Sequence, residues 1–226
     1  MTAGTPGTQR AVLFDIDGTL VDSNYLHIDA WSRALESVGN PVDAWRIHRG
    51  IGMDSSKLLT ELLADREAEL GDAAKDAHTA NYAGLTDRLR PFEGARDLLR
   101  ELHTRGFTVV LATSAPDEEL KELRACLDIE DALDAVTSSE DVEQAKPDPD
   151  IVKVALDKAG VDAASAVFVG DTVWDAEAAG RAGVDFVGVL SGGISAAELT
   201  EAGAIAVYRN VEELLRELDS SPLTGG

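Results

Sequence analysis

Cysteine is almost missing from this sequence. Cys126 is the single one in 226 residues, so no disulfide can close within the chain and nothing suggests a thiolate metal site. Basic residues are scarce as well, 20 against 42 acidic, for a formal charge of −22. Such a balance argues against wide contact with nucleic-acid phosphates or anionic lipid. The expected partner is a small molecule, with no nucleic acid polymer and no membrane. A local phosphate site made of a metal ion, a lysine and backbone N–H groups is still compatible with an acidic chain. No stretch approaches the roughly 20 apolar residues of a membrane span, and residues 1–9 are small and polar rather than apolar. A cytoplasmic protein is expected. Residues 1–9 and 220–226 have the composition of loose tails.

What is present organises around Asp15-Ile16-Asp17-Gly18-Thr19-Leu20-Val21-Asp22-Ser23, which follows the apolar run Ala11-Val12-Leu13-Phe14. Uniform hydrophobicity followed at once by acid and glycine reads as a strand buried on both faces, as in parallel sheets, whose C-terminal end opens into a loop. In open parallel α/β sheets that edge is where ligands bind, and two aspartates at i and i+2 can converge there on one cation. Gly18 permits a sharp turn, and Thr19 places a hydroxyl beside the acids. The plainer alternative is an Asp-Gly turn whose acids cap the next helix.

After this strand the pattern is helical for a long stretch. Leu26, Ala30, Ala34, Leu35 and Val38 recur at helical spacing until Gly39-Asn40-Pro41, and a second helix starts after Asp43. Asp54 or Ser55 caps a third, with Leu58, Leu59, Leu62 and Leu63 as its apolar stripe, and Arg66 to Leu89 is helical in character. No strand pattern occurs between Asp22 and Arg90. Beyond Pro91 strands and helices alternate: strands are expected at Phe107–Ala112, weakly at Ala135-Val136, at Ala166–Val169, Asp185–Leu190 and Ala204–Tyr208. Helices run through Ala95–Leu102, Leu120–Leu127, Ile151–Leu156 (with Val154 inward), behind the capping box Ser195-Ala196-Ala197-Glu198, and over Val211–Leu218. The expected fold class is α/β: a Rossmann-like doubly wound parallel sheet core, residues 1–21 and 91–226, with an inserted all-helical cap domain, residues 22–90.

Several strand ends carry polar groups: Asp15 and Asp17, Thr113-Ser114, and Gly170-Asp171 with Asp175, while Lys146 stands just before a helix. If these strands are neighbours, carboxylates from two segments can hold Mg2+, which prefers oxygen ligands. The metal, Lys146 and the Thr113 hydroxyl would then neutralise phosphoryl oxygens and leave one carboxylate oxygen to attack phosphorus. Asp17 has the right offset to protonate the leaving oxygen and later to deprotonate water. Glycine at 18 and 170 would let backbone amides approach the phosphate.

Taken together, Asp15 to Ser23, Thr113 after a buried strand, Lys146-Pro147-Asp148-Pro149-Asp150, and Gly170-Asp171 with Asp175 resemble the four ordered motifs of the haloacid dehalogenase superfamily, from about Ala11 to Asn210. The resemblance is to the subfamily with a type-one cap, which includes phosphoglycolate phosphatases and β-phosphoglucomutases. It implies a Mg2+-dependent phosphatase acting on a small phosphorylated metabolite, of the phosphoglycolate or sugar phosphate type, through an aspartyl phosphate. It assigns Asp15 as nucleophile, Asp17 as acid/base, Thr113 and Lys146 to the phosphate, Asp171 as metal ligand beside Asp15 and the backbone carbonyl of Asp17, and Asp175 as support for the lysine or a metal-bound water. Dehalogenases of this superfamily resemble the core but carry an aromatic residue where Asp17 stands. Phosphonoacetaldehyde hydrolases replace that acid with alanine and add a cap lysine, so Asp17 also argues against that chemistry for Lys57.

A sugar-phosphate mutase is the alternative, since mutases resemble the phosphatases in all four motifs. His27 stands where both have histidine and joins the candidate substrate-binding set with Gly18, Ser114 and Arg49, the last chosen from the basic, glycine-punctuated loop Arg46 to Gly52. Its plainer reading is a solvated loop. A phospho-accepting signalling domain or a non-catalytic binding domain fits less well, because a cap of nearly seventy residues has no use in the first and every expected reactive group is present against the second. Tyr25, Trp31 and Trp45 read as filling the cap's small core or its hinge, Trp174 as lining the pocket or packing, His78 and His103 as surface residues, and Glu140 to Glu143 as a solvated acidic loop.

Overall fold

A computed structural model describes residues 10–141 and 146–225. Strand β1 (Ala11–Phe14) leads into the helices α1 (Asn24–Ser37), α2 (Ala44–Gly50), α3 (Ser55–Leu63) and α4 (Glu67–Ala83). The alternating part follows as α5 (Ala95–Thr104), β2 (Thr108–Leu111), α6 (Asp117–Leu127), β3 (Ala135–Val136), α7 (Asp150–Ala159), β4 (Ala166–Gly170), α8 (Val173–Ala182), β5 (Asp185–Val189), α9 (Ala196–Glu201), β6 (Ala204–Tyr208) and α10 (Val211–Arg216). The sheet order is β3-β2-β1-β4-β5-β6, and every neighbouring pair is parallel.

Period-two alternation divides the strand residues between two apolar layers. Val12, Phe14, Val109, Leu111, Val167 and Val169 face α5, α6 and α10, whereas Leu13, Val110, Phe168 and Phe186 face α7, α8 and α9. A sheet covered on both faces has no use for polar strand residues until its ends. The order of the strands reverses direction at β1, which pairs with β2 on one side and β4 on the other. The C-terminal ends of β1 and β4 therefore border the crevice where such sheets take ligands.

Helices α1 to α4 pack around an apolar cluster of their own, including Ile28, Trp31, Leu35, Ile47, Leu59 and Leu62. Two adjacent connections carry the chain into and out of this helical unit. They are held together by a Val21–Pro91 bridge and by backbone bonds from Asp22 N to Arg90 O and from Phe92 N to Leu20 O, each 2.9 Å. The chain stops helix α1 at Gly39, and Asp54 caps α3 by accepting from the amides of Ser56 and Lys57.

Several expectations need correction. Residues 220–225 are not a loose tail: Leu223 is fully buried in the core and Ser221 and Thr224 bond to the carbonyl of Leu218. Tyr25 and Trp45 are exposed, so of the three cap aromatics only Trp31 fills the core. His78 is buried rather than on the surface, its ring stacked on Trp31 with centroids 4.0 Å apart. In α7, Val152 turns inward in place of the half-buried Val154. Residues 1–9, together with Val142 and Glu143 of the acidic run, lie outside the described residues. Asp141 in that run receives the Ser138 amide and the Lys158 ammonium, both at 2.8 Å.

Phe168, fully buried in the central strand β4 and 6.1 Å from the Phe186 ring, tests the layer beneath the site. Phe168→Ala is expected to destabilise the protein by about 3–5 kcal/mol in urea unfolding, through lost transfer energy and the cavity left behind.

Candidate active site

Asp15 is the first residue beyond β1, and its amide is tied to the Val169 carbonyl of β4 at 2.9 Å. Asp171 is the first beyond β4 and has no exposed surface. Its Oδ1 accepts from the Thr19 hydroxyl at 3.0 Å, and its Oδ2 accepts from the Asn24 side-chain amide at 2.9 Å. Lys146, also buried, sets its ammonium against Asp15 and 2.7 Å from Asp175 Oδ1. Asp175 is aimed by a capping box at the start of α8: its Oδ2 accepts from the Thr172 amide at 3.0 Å and from the Thr172 hydroxyl at 2.6 Å.

Glycine is required where these acids crowd the backbone. A Cβ on Gly192 would stand 1.6 Å from Asp171 Oδ2. One on Gly18, whose φ is +76°, would stand 2.2 Å from Asn24 Nδ2 and 2.5 Å from Asp171 Oδ2. Gly18 thus serves by its missing side chain. Its amide, expected to face a phosphate, instead closes the loop on the Val21 carbonyl at 2.9 Å.

Ligand oxygens of Asp15, Asp171 and Asp175 lie within 4.8 Å of one another. Three carboxylates thus share the charge of a single ammonium, an imbalance that burial makes costly. Burial, followed by Asp175 and Asp17, pushes Asp15 up to about 7 against the pull of Lys146. Burial and the charges of Asp175 and Asp15 hold Asp171 well above the usual carboxylate range, although Asn24 and Thr19 oppose the shift. Burial would lower Lys146, but Asp15 and Asp175 outweigh it and keep the ammonium protonated. A divalent cation between the carboxylates would restore the balance, so the donor set fits a hard, oxygen-seeking ion.

Asp17 sits in a different environment. It accepts from the Ser23 hydroxyl at 2.5 Å and lies 3.5 Å from His27 Nε2, which is 3.3 Å from Glu119. Burial would raise Asp17, yet its bond with His27 and the charge of that ring, with Ser23 and Lys146, hold it below the usual range. His27 is pushed up to about 10, because Glu119 and Asp17 outweigh the effect of its burial. His78 faces the other ring nitrogen of His27 at 3.2 Å, and burial, aided by the charge of His27, pushes it down to about 3.

A cavity of about 520 Å³ between the helical unit and the sheet edge is lined by Asp15, Asp17, Thr113, Ser114, Lys146 and Asp171 from the core side and by His27 from α1. Thr113 is buried, its hydroxyl oxygen accepting from the Ala115 amide at 3.0 Å. Of the sequence-derived set, Arg49 is not brought to this cavity. Its guanidinium pairs with Glu198 at 2.5 Å and borders a separate crevice of about 280 Å³ with Trp174. Asn24, Glu119 and Thr172 were missing from that set. Thr172 and Asp175 at N-cap and N3 spacing were the one signal that could have been read.

A profile of haloacid dehalogenase-like hydrolases matches residues 12–189, a span that takes in Asp15, Asp17, His27, Thr113, Lys146, Asp171 and Asp175. The chain belongs to the haloacid dehalogenase-like hydrolase family. A phosphorylated carbohydrates phosphatase of Thermotoga maritima is 31% identical over 212 residues, covering 92% of this chain and 98% of that protein. A phosphoglycolate phosphatase of Rhodospirillum rubrum is 32% identical over 215 residues, covering 91% and 89%. Among solved structures, a hydrolase from Pseudomonas syringae superimposes with a TM-score of 0.88 at 34% identity, covering 94% of this chain and 98% of that one. These relatives place the chain among the family's phosphoric monoester hydrolases. Among the described residues no helix is long and apolar enough to cross a membrane.

The raised carboxyls generate a pH prediction. A carboxyl whose folded pKa lies above its unfolded 3.8 gives the folded state extra bound protons, so metal-free stability falls as pH rises from about 4 to about 7 through Asp15. A bound divalent cation removes that loss. The increase in melting temperature on adding Mg2+ is therefore expected to be larger at pH 8 than at pH 5 in scanning fluorimetry. Gly192→Ala, which places a methyl against Asp171, is expected to abolish the increase.

Proposed function

We propose that this hydrolase is a Mg2+-dependent phosphatase that cleaves a small phosphorylated metabolite, of the phosphoglycolate or sugar phosphate type, through an aspartyl phosphate on Asp15. The observation that carries the reading is the Lys146 ammonium held between Asp15 and Asp175 beside Asp171, at the C-terminal ends of β1 and β4. We assign residues 1–21 and 91–226 to the catalytic core and residues 22–90 to the cap.

Asp15, Asp171 and the Asp17 carbonyl would hold Mg2+. When bound, the ion supplies positive charge that offsets the phosphoryl oxygens and the carboxylates around them. Lys146 and the Thr113 hydroxyl bind further phosphoryl oxygens, and Ser114 lies next to them in the cavity wall. An Asp15 carboxylate oxygen forms a bond to phosphorus as the bond from phosphorus to the leaving oxygen breaks, and Asp17 gives its proton to that oxygen. Asp17 then takes a proton from water, whose oxygen bonds to phosphorus while the acyl phosphate bond breaks. Phosphate leaves and the Asp15 carboxylate is regenerated. The partners of Asp17 favour its ionised form, which suits the second step. The negative charge of an arriving phosphoryl group shifts it toward the protonated form required for the first.

Phosphate release from p-nitrophenyl phosphate with Mg2+ tests the reaction. Asp15→Asn is expected to lower turnover on the order of 10³-fold or more. Asp17→Asn is expected to leave a phosphorylated protein detectable by radiolabel, because its second step lacks a base. Undiminished turnover in Asp15→Asn would refute the assignment, and a panel of phosphoglycolate and sugar phosphates then ranks substrates by kcat/KM.

A further inference from the structure

The cavity contains a second group of metal-ligating atoms that the reaction described above does not use as such: Asp17 Oδ1, His27 Nε2 and Glu119 Oε1, all within 4.8 Å of one another. The two contacts of His27 Nε2 stand at the long end of the hydrogen-bond range. His27 Nε2 carries at most one proton, yet it faces two carboxylate oxygens at 3.5 and 3.3 Å, beyond the about 2.7–2.9 Å of a charge-assisted bond. Those two separations are also close to another geometry, with the third, Asp17 to Glu119, within 4.8 Å. With bonds of about 2.0–2.2 Å to nitrogen and carboxylate oxygen, the edge of a tetrahedral zinc site is about 3.4 Å.

The surroundings are those of a held ligand set. The other ring nitrogen of His27 faces His78 Nε2 at 3.2 Å, and the ring lies flat on Tyr82 with centroids 3.9 Å apart, so the orientation of His27 is fixed from behind. Asp17 is fixed by Ser23 at 2.5 Å. For His27, a contact at the ring nitrogen away from the ion is how metal sites set tautomer and direction, whereas the Ser23 hydroxyl shares Asp17 Oδ1 itself. The three side chains keep 21%, 11% and 17% exposure in the order Asp17, His27, Glu119, which leaves the cavity side open for water as a fourth ligand. One imidazole with two carboxylates suits a borderline ion such as Zn2+ over Mg2+, which prefers an all-oxygen set.

We propose that Asp17, His27 and Glu119 form a second, inhibitory site for a zinc-type divalent cation, separate from the cluster of Asp15, Asp171 and Asp175. Its occupant takes the place of the His27 Nε2 proton, which passes to solvent, and ties up the Asp17 carboxylate. Binding is independent of the reaction assigned above, whereas inhibition rests on the assignment of Asp17 as the acid/base.

The test is calorimetric titration of the full-length protein with Zn2+ in excess Mg2+, paired with the visible spectrum of the Co2+ form. Tetrahedral Co2+ with nitrogen and oxygen ligands absorbs far more strongly than the octahedral ion. Glu119→Gln and His27→Asn are each expected to weaken Zn2+ binding on the order of tenfold or more and to lose the Co2+ bands, while Asp171→Asn keeps both. Should His27→Asn fail to fold, as read by its melting curve, Glu119→Gln decides alone. Wild-type affinity in Glu119→Gln, loss of binding in Asp171→Asn, or no Zn2+ binding in excess Mg2+ would each overturn the site. In turnover assays Zn2+ is expected to inhibit the wild type at concentrations that leave Glu119→Gln uninhibited. Zn2+ binding at the site without inhibition would overturn the inhibitory role and count against Asp17 as acid/base, leaving the site itself standing.

Discussion

Three carboxylates and one ammonium, all removed from water at the end of a parallel sheet, set the terms for everything around them. Desolvating a charge costs several kcal/mol unless partners compensate, and one lysine cannot compensate three acids. The neighbourhood is shaped by what remains. Thr19 and Asn24 donate to Asp171, Thr172 donates twice to Asp175, and glycine at 18 and 192 yields the space the oxygens occupy. None of these devices removes the surplus negative charge. That surplus separates the site from a structural ion-pair network, in which charges close on themselves, and it is what the proposed divalent cation would offset.

The helical unit meets this site through two kinds of contact with different strengths. Within itself it is held by buried aliphatic side chains, each worth several kcal/mol on truncation to alanine. Against the core it makes partly exposed ion pairs, Arg49 with Glu198 and Lys57 with Asp148, of a type worth about 0–1 kcal/mol, a bond from His48 to the Gly192 carbonyl at 2.9 Å, the buried bond from Asn24 to Asp171, and apolar contacts of Leu26, Ala30, Tyr82, Leu85 and Leu89, which are buried in the core's own cluster. The position of Arg49 follows from composition: in a chain with surplus acid, the Glu198 carboxylate of a capping box is a nearby anion for a cationic loop residue.

Much of this was legible in the sequence because parallel strands buried on both faces leave unbroken apolar runs, and a polar residue at their ends has no structural duty. That logic located Asp15, Thr113 and Asp171. Lys146 was legible only as a lysine among prolines and aspartates, and its burial emerges from packing. Asn24, Glu119 and His78 left no comparable mark. Each lies on a helix where polar residues are ordinary, and only the docking of α1 against Asp171, α4 and α6 gives them partners. Tyr25 and Trp45 misled for the opposite reason, since large aromatics imply burial on average and a small helical unit has too little interior for all of them. The C-terminal residues misled by composition: a single leucine, Leu223, anchors a segment otherwise polar and glycine-rich.

Two acids at i and i+2 begin with the same covalent chemistry and the same strand end, and the fold separates them. Asp15 is turned toward Lys146, Asp171 and Asp175, where like charge and burial raise it. Asp17 is turned toward Ser23 and the protonated ring of His27, which lower it. Under the function proposed above, the raised group is the one that a cation and Lys146 would hold ionised for attack, and the lowered group is the one that would accept a proton once the phosphoryl group has transferred. Assigning distinct roles to two identical side chains by moving their pKa values apart is a general solution in carboxylate enzymes. In this chain the separation depends on an insertion. His27 belongs to α1, beyond the loop that carries both acids, so a helix that lines the cavity also sets the acidity of a residue across from it.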